Sequence, residues 1–148
     1  MEVDLLLCDH AEAINGKLYI MGGGWSILYA ANRPATMYLA MIVTFDWTDT
    51  NIKHEFLAEL LTADGEPVTM PIDQTRPVRA HASMEVGRPP GIKPGTSLPA
   101  PIAFGVAGLI LDVGLYVWNV KVDGRELARK VFEVVAPPQL PGFPPMAA

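Results

Sequence analysis

The opening of this chain constrains its fold more than any other stretch. Apolar residues 5–8 and 18–20 flank Asn15-Gly16, and an Asn-Gly pair supplies the two positive-φ positions of a type I′ turn, whose twist matches that of paired strands. A hairpin is therefore expected, joining Glu12-Ala13-Ile14 to residues 17–21. Gly22-Gly23-Gly24 then removes three side chains in succession. That predicts a bulge or sharp bend with backbone room beneath Trp25, where a strand over 25–30 leaves the direction of the first sheet.

Further strands follow from period-two patterning. Residues 37–47 are apolar on both faces, with Met37, Leu39, Met41, Val43 and Phe45 on one side and Tyr38, Ala40 and Ile42 on the other. Such a strand is either central between two layers or partly covered by a partner. Residues 54–62 also fit a helical face, but Ala63-Asp64-Gly65-Glu66 supplies a hairpin turn into 67–70, which favours a strand. Residues 76–86 alternate with Val78, Ala80, Ala82 and Met84 inward. A Pro/Gly-rich loop over 89–95 reads as a crossover between sheets, and 102–111 as a buried strand. Residues 115–122 and 125–135 form a last hairpin around Asp123-Gly124. In a straight ladder Tyr116 would face Val131, leaving Phe132 and Val134 on the wrong face, so a one-residue bulge near Arg129-Lys130 is expected. These eight or nine strands predict a single all-β antiparallel β-sandwich, immunoglobulin-like or jelly-roll, over residues 1–136. A Pro-rich extended tail over 137–148 follows.

The chain has 148 residues, a net charge of -5 and one cysteine. That length fits one domain that buries about two-thirds of its surface without a disulfide or metal staple. The acidic balance and the lack of a basic cluster argue against nucleic acid. No apolar run reaches membrane-spanning length, and the N-terminus lacks a secretory signal pattern. With one cysteine, these features suggest a cytoplasmic protein. Hydrophobic residues make up 50% of the chain and charged ones 18%, below the usual charged fraction of about a quarter. Self-association or docking into a larger assembly is the simplest way to hide that surplus.

Chemistry is sparse. Cys8, His10 and Glu12 fall on one face at two-residue spacing if their strand runs straight, and all three can ligate zinc. A fourth ligand is missing locally, and Cys8 also reads as a small buried residue. A Cys8–His10 nucleophile pair would project in parallel rather than converge. Gly22-Gly23-Gly24 lacks the residues of a phosphate loop. Scattered aromatic residues leave open a small-ligand module for a glycan or peptide.

The run Leu7-Cys8-Asp9-His10-Ala11-Glu12, followed by Gly16-Lys17-Leu18-Tyr19-Ile20 and Gly22-Gly23-Gly24-Trp25, resembles a functionally uncharacterised bacterial family of small cytosolic β proteins. The resemblance assigns no catalytic residue. The sequence therefore predicts a non-enzymatic structural or interaction protein, a homo-oligomer or part of a larger assembly, that needs no cofactor. Tyr38, Ile42, Leu140 and Phe143 are its expected interface residues, the last two anchoring the tail in an apolar groove. A metal-binding protein or metal-dependent enzyme centred on Cys8, His10 and Glu12 is the alternative.

Overall fold

Both Gly-containing dipeptides close hairpins. Asn15 (φ 51°) and Gly16 (φ 72°) carry the chain from β1 (Glu2–Ile14) to β2 (Lys17–Gly23), with Ile14 opposite Lys17. The chain then runs through β3 (Ile27–Leu28), β4 (Pro34–Phe45), a 3-10 turn (Trp47–Asp49), β5 (Lys53–Thr62), β6 (Arg79–Glu85) and β7 (Leu98–Ile110). Asp123 (φ 51°) and Gly124 (φ 78°) join β8 (Gly114–Val122) to β9 (Arg125–Val134). The structure, a computed structural model, describes residues 1–139, 141 and 142.

The strands form two sheets packed as an all-β sandwich: sheet A in the order β2-β1-β4-β7 and sheet B in the order β3-β9-β8-β5-β6. The inward face of β4 is the one its alternation predicts. Met37, Leu39, Met41, Val43 and Phe45 pack on Phe56, Leu60, Trp118 and Phe132 from sheet B. Trp118 is fully buried, donates its Nε1–H to Met37 Sδ at 3.3 Å and meets Phe104 edge-on.

Several expectations are corrected. β3 crosses to the second sheet as the glycine run suggested, yet it pairs parallel to β9, so sheet B is mixed. The room left by the glycines lies elsewhere than beneath Trp25: a Cβ at Gly22 would strike the Asp9 carboxylate, and one at Gly23 would meet Ile20 and Leu6. In the last hairpin the extra residue is Leu127, two positions before the expected bulge, because Lys121 pairs with Glu126 and Val120 with Ala128. The consequence is the expected one. Tyr116 now opposes Phe132, their rings stack at 5.7 Å, and Phe132 and Val134 return to the core.

Residues 67–70 come back beside β5 through an isolated bridge, Leu61 to Pro67, rather than as a ladder strand. β7 is a half-buried edge strand, not a fully buried one, and Pro99 and Pro101 suit that edge because they lack an N–H to lose. β6 closes sheet B on the same side of the sandwich. Its inward alternation holds, but Ala82 is exposed because no strand covers it from the flank.

The second apolar face of β4 is covered by the chain itself. Cys8 and Ala40 point away from the main core yet are 0% and 2% exposed. The β1–β2 hairpin turns back over sheet A and lays Ala11 and Leu18 on them, beside Leu6, Tyr38 and Ala103. β2 thereby comes close to β4 and β7, strands with which it shares no ladder.

Candidate functional site

The folded hairpin decides the fate of the residues that could have carried chemistry. Cys8 is sealed under it, its Sγ 3.6 Å from the Tyr38 carbonyl oxygen. Burial and then the Asp9 charge push its thiol pKa up, the opposite of what a nucleophile or metal ligand needs. His10 lies on Tyr38 with ring centroids 4.6 Å apart, and its Nε2 is 3.3 Å from Glu12 Oε1. Among the described residues, no three His, Cys, Asp or Glu side chains gather in a metal-binding group.

The expected interface residues are placed unevenly. Tyr38 is clamped: His10 covers one side, and on the other a Cβ at Gly105 would lie 2.5 Å from its ring atoms. Ile42 is half-buried, between Asp4 of β1 and Pro101 of β7. Leu140 and Phe143 fall outside the described residues.

A titratable cluster that local spacing could not reveal sits at the end of the sandwich. His54 opens β5, 5% exposed and beside the Phe45 ring. Its Nδ1 is 2.7 Å from Asp123 Oδ2 and its Nε2 is 2.8 Å from the Asp49 carbonyl oxygen. Both partners are acceptors, so both bonds form together only when the ring is protonated and donates twice. Burial lowers the His54 pKa, but the Asp123 hydrogen bond, the Asp49 carbonyl and the charges of Asp123 and Asp49 raise it by more. Asp123 is held low by His54 and by the Glu55 N–H, which donates to Oδ1 at 2.9 Å. A cavity of about 470 Å³ opens beside them, with Asp46, Thr48 and Arg125 on its wall. With both ring nitrogens engaged, His54 has no free lone pair to act as a base, and the cluster ties the Asp123-Gly124 turn to the start of β5. The one sequence signal was Asp at a turn position that any carboxylate or amide tolerates.

A family model matches residues 3–135, from the start of β1 to just past β9. The chain belongs to DUF6941, a family of unknown function. No curated protein matches it. The outer face of sheet B of this DUF6941 chain carries a set of exposed apolar residues apart from Cys8 and His54. Leu61, Val117 and Val131 stand side by side on β5, β8 and β9, and Leu115 and Ile27 flank Glu133 one step along. Val131 is 50% exposed, Leu115 52% and Ile27 44%, whereas Leu61 is partly buried and Val117 is buried at 7%. Sequence alternation marked 115–122 and 125–135 as strands, but which of their residues face out depended on the bulge at Leu127.

Proposed function

We propose that this protein works without catalysis, by pairing with a second copy of itself through the outer face of sheet B. The observation that carries this is the half-exposed trio Ile27, Leu115 and Val131 on the outer face of sheet B, beside partly buried Leu61 and buried Val117. The five strands of sheet B, from two residues in β3 to ten in β5 and β9, present roughly 600 Å² at about 3.3 Å per residue and about 4.8 Å spacing. A standard interface buries about 800 Å² per partner, so the face is of comparable size.

Charge favours a like partner. The outward residues of β9 run Arg129, Val131, Glu133. A two-fold axis lying in the interface and crossing β9 at Val131 sets Arg129 of one copy over Glu133 of the other, twice, as an isologous contact requires. The opening motif and the single buried thiol of Cys8 support a bacterial, cytoplasmic setting for this pair.

Size-exclusion chromatography with light scattering tests the proposal. The protein should run at twice its 16.0 kDa chain mass at micromolar concentrations. Val131→Arg should run as a folded monomer with an unchanged far-UV circular dichroism spectrum. A wild-type monomer throughout that range would refute self-pairing, and a variant that still dimerises would refute this face.

A further inference from the structure

On the side of the sandwich where β6 and β7 close their sheets, the two strands leave a groove of about 520 Å³. Phe56, Met84, Ile102 and Phe104 supply its apolar lining, and residues 79–84 of β6 form one wall without a gap. Successive residues of a strand point to opposite faces. A wall built from both parities is therefore the main-chain edge of β6 rather than one side-chain face.

Register shows which main-chain groups of that edge are free. The Val78 carbonyl accepts from the Leu60 N–H and the Val86 carbonyl from the Asn51 N–H, both on the β5 side. β6 pairs with β5 without a register shift. The even-numbered residues between them thus bond to β5, and Arg79, His81 and Ser83 direct their N–H and C=O groups into the groove. Across the groove β7 carries Pro99 and Pro101, which have no N–H to offer. A segment entering here pairs with β6.

The charges are also unequally used. His81 Nε2 is 3.2 Å from Glu55, and Glu59, which faces Arg79 across the ladder, is held by Lys121 at 3.3 Å. Arg79 makes no ion pair or hydrogen bond among the described residues. We propose that this groove binds an extended peptide as a sixth strand of sheet B, its alternate apolar side chains on Phe56, Met84, Ile102 and Phe104 and a carboxylate side chain beside Arg79. Main-chain pairing supplies affinity and the alternate pockets supply selectivity, as in other strand additions.

The test uses the full chain and an acetylated, amidated seven-residue peptide that alternates valine with threonine and carries a central aspartate in place of one threonine. Fluorescence anisotropy of the labelled peptide should show saturable binding. At saturation, amide hydrogen exchange at Arg79, His81 and Ser83 should slow at least tenfold. Arg79→Glu, an exposed change that leaves the core alone, should weaken the aspartate peptide at least tenfold and favour a lysine version of it. Unchanged exchange at those three amides overturns the proposal. So does undiminished binding by both peptides N-methylated at alternate amides, one in each phase, because pairing with β6 requires that one of the two phases lose affinity and apolar filling alone would then explain it.

Discussion

Replacing His54 with Gln should make folding stability less dependent on pH above 6, and the sign follows from the two acceptors around the ring. Protonated His54 donates to Asp123 at 2.7 Å and to the Asp49 carbonyl at 2.8 Å. A hydrogen bond to a charged group contributes about 1.5–3 kcal/mol and a neutral one about 0.5–1.5. Asp123 is half exposed and solvent screens its charge, so the lower ends of these ranges apply. Gln keeps one neutral donor, and the variant should lose about 1–2 kcal/mol at pH 6. Burial alone would lower the His54 pKa, but Asp123 and Asp49 together hold it above the ordinary value. The folded chain then binds the proton more tightly than the unfolded one. This stabilisation is complete below the unfolded value of about 6.5 and is lost as pH rises through the folded pKa, at no more than about 1.4 kcal/mol per pH unit. The depressed Asp123 carboxyl acts in a separate window, where stability is lost only as pH falls below the ordinary carboxylate range. Urea unfolding followed by tryptophan fluorescence from pH 5.5 to 8.5 measures the difference between wild type and H54Q. The gap between them should narrow as pH rises. A constant gap would show that folding leaves the His54 pKa unshifted, and one that widens would show that folding lowers it; either outcome refutes the reasoning.

Two further substitutions probe parity and close approach. Phe132→Ala should cost about 3–5 kcal/mol and Val131→Ala less than about 0.5 in the monomer, because the Leu127 bulge buries the first residue and exposes the second; the reverse order in chemical denaturation would mean a straight ladder. Gly105→Val should lose about 1–3 kcal/mol by driving Tyr38 off its seat, with a changed near-UV circular dichroism signal from that ring and a lower urea midpoint, and an unperturbed midpoint would show that the ring is not held there.

What the sequence made legible was what short spans determine. Asn15-Gly16 and Asp123-Gly124 specify their turns within two residues, and the alternation of Met37 to Phe45 specifies which side of β4 meets the core. The parity conflict in the last hairpin even required a bulge. Its position did not follow, since any of several residues restores Phe132 and Val134 to the core and the choice rests on how Leu127 and Ala128 pack against the opposite sheet. A strand over 25–30 was expected to leave the first sheet and β3 does, but its reduction to two residues and its parallel pairing with β9 were not legible, because they depend on the chain's path after Gly24.

The candidate sites were illegible because they are set by strand order. His54 and Asp123 are 69 residues apart, and only the β5–β8 pairing brings the Asp123 turn to the head of β5. The surplus of apolar residues was visible in composition, whereas its destination was not. Part of it goes under the chain's own hairpin, where Ala11 and Leu18 seal Cys8 and Ala40. Part lines the groove left by two edge strands that do not meet. Part stands half-exposed on the outer face of sheet B at Ile27, Leu115 and Val131, and there the argument from hydrophobic content bears on association. Covering the hairpin site needs no second molecule, so Tyr38 contributes to folding, while half-exposed Val131 gains most from association. Mutating the two should therefore separate the effects: loss at Tyr38 should lower the unfolding midpoint of monomer and dimer alike, and loss at Val131 should make the midpoint insensitive to protein concentration.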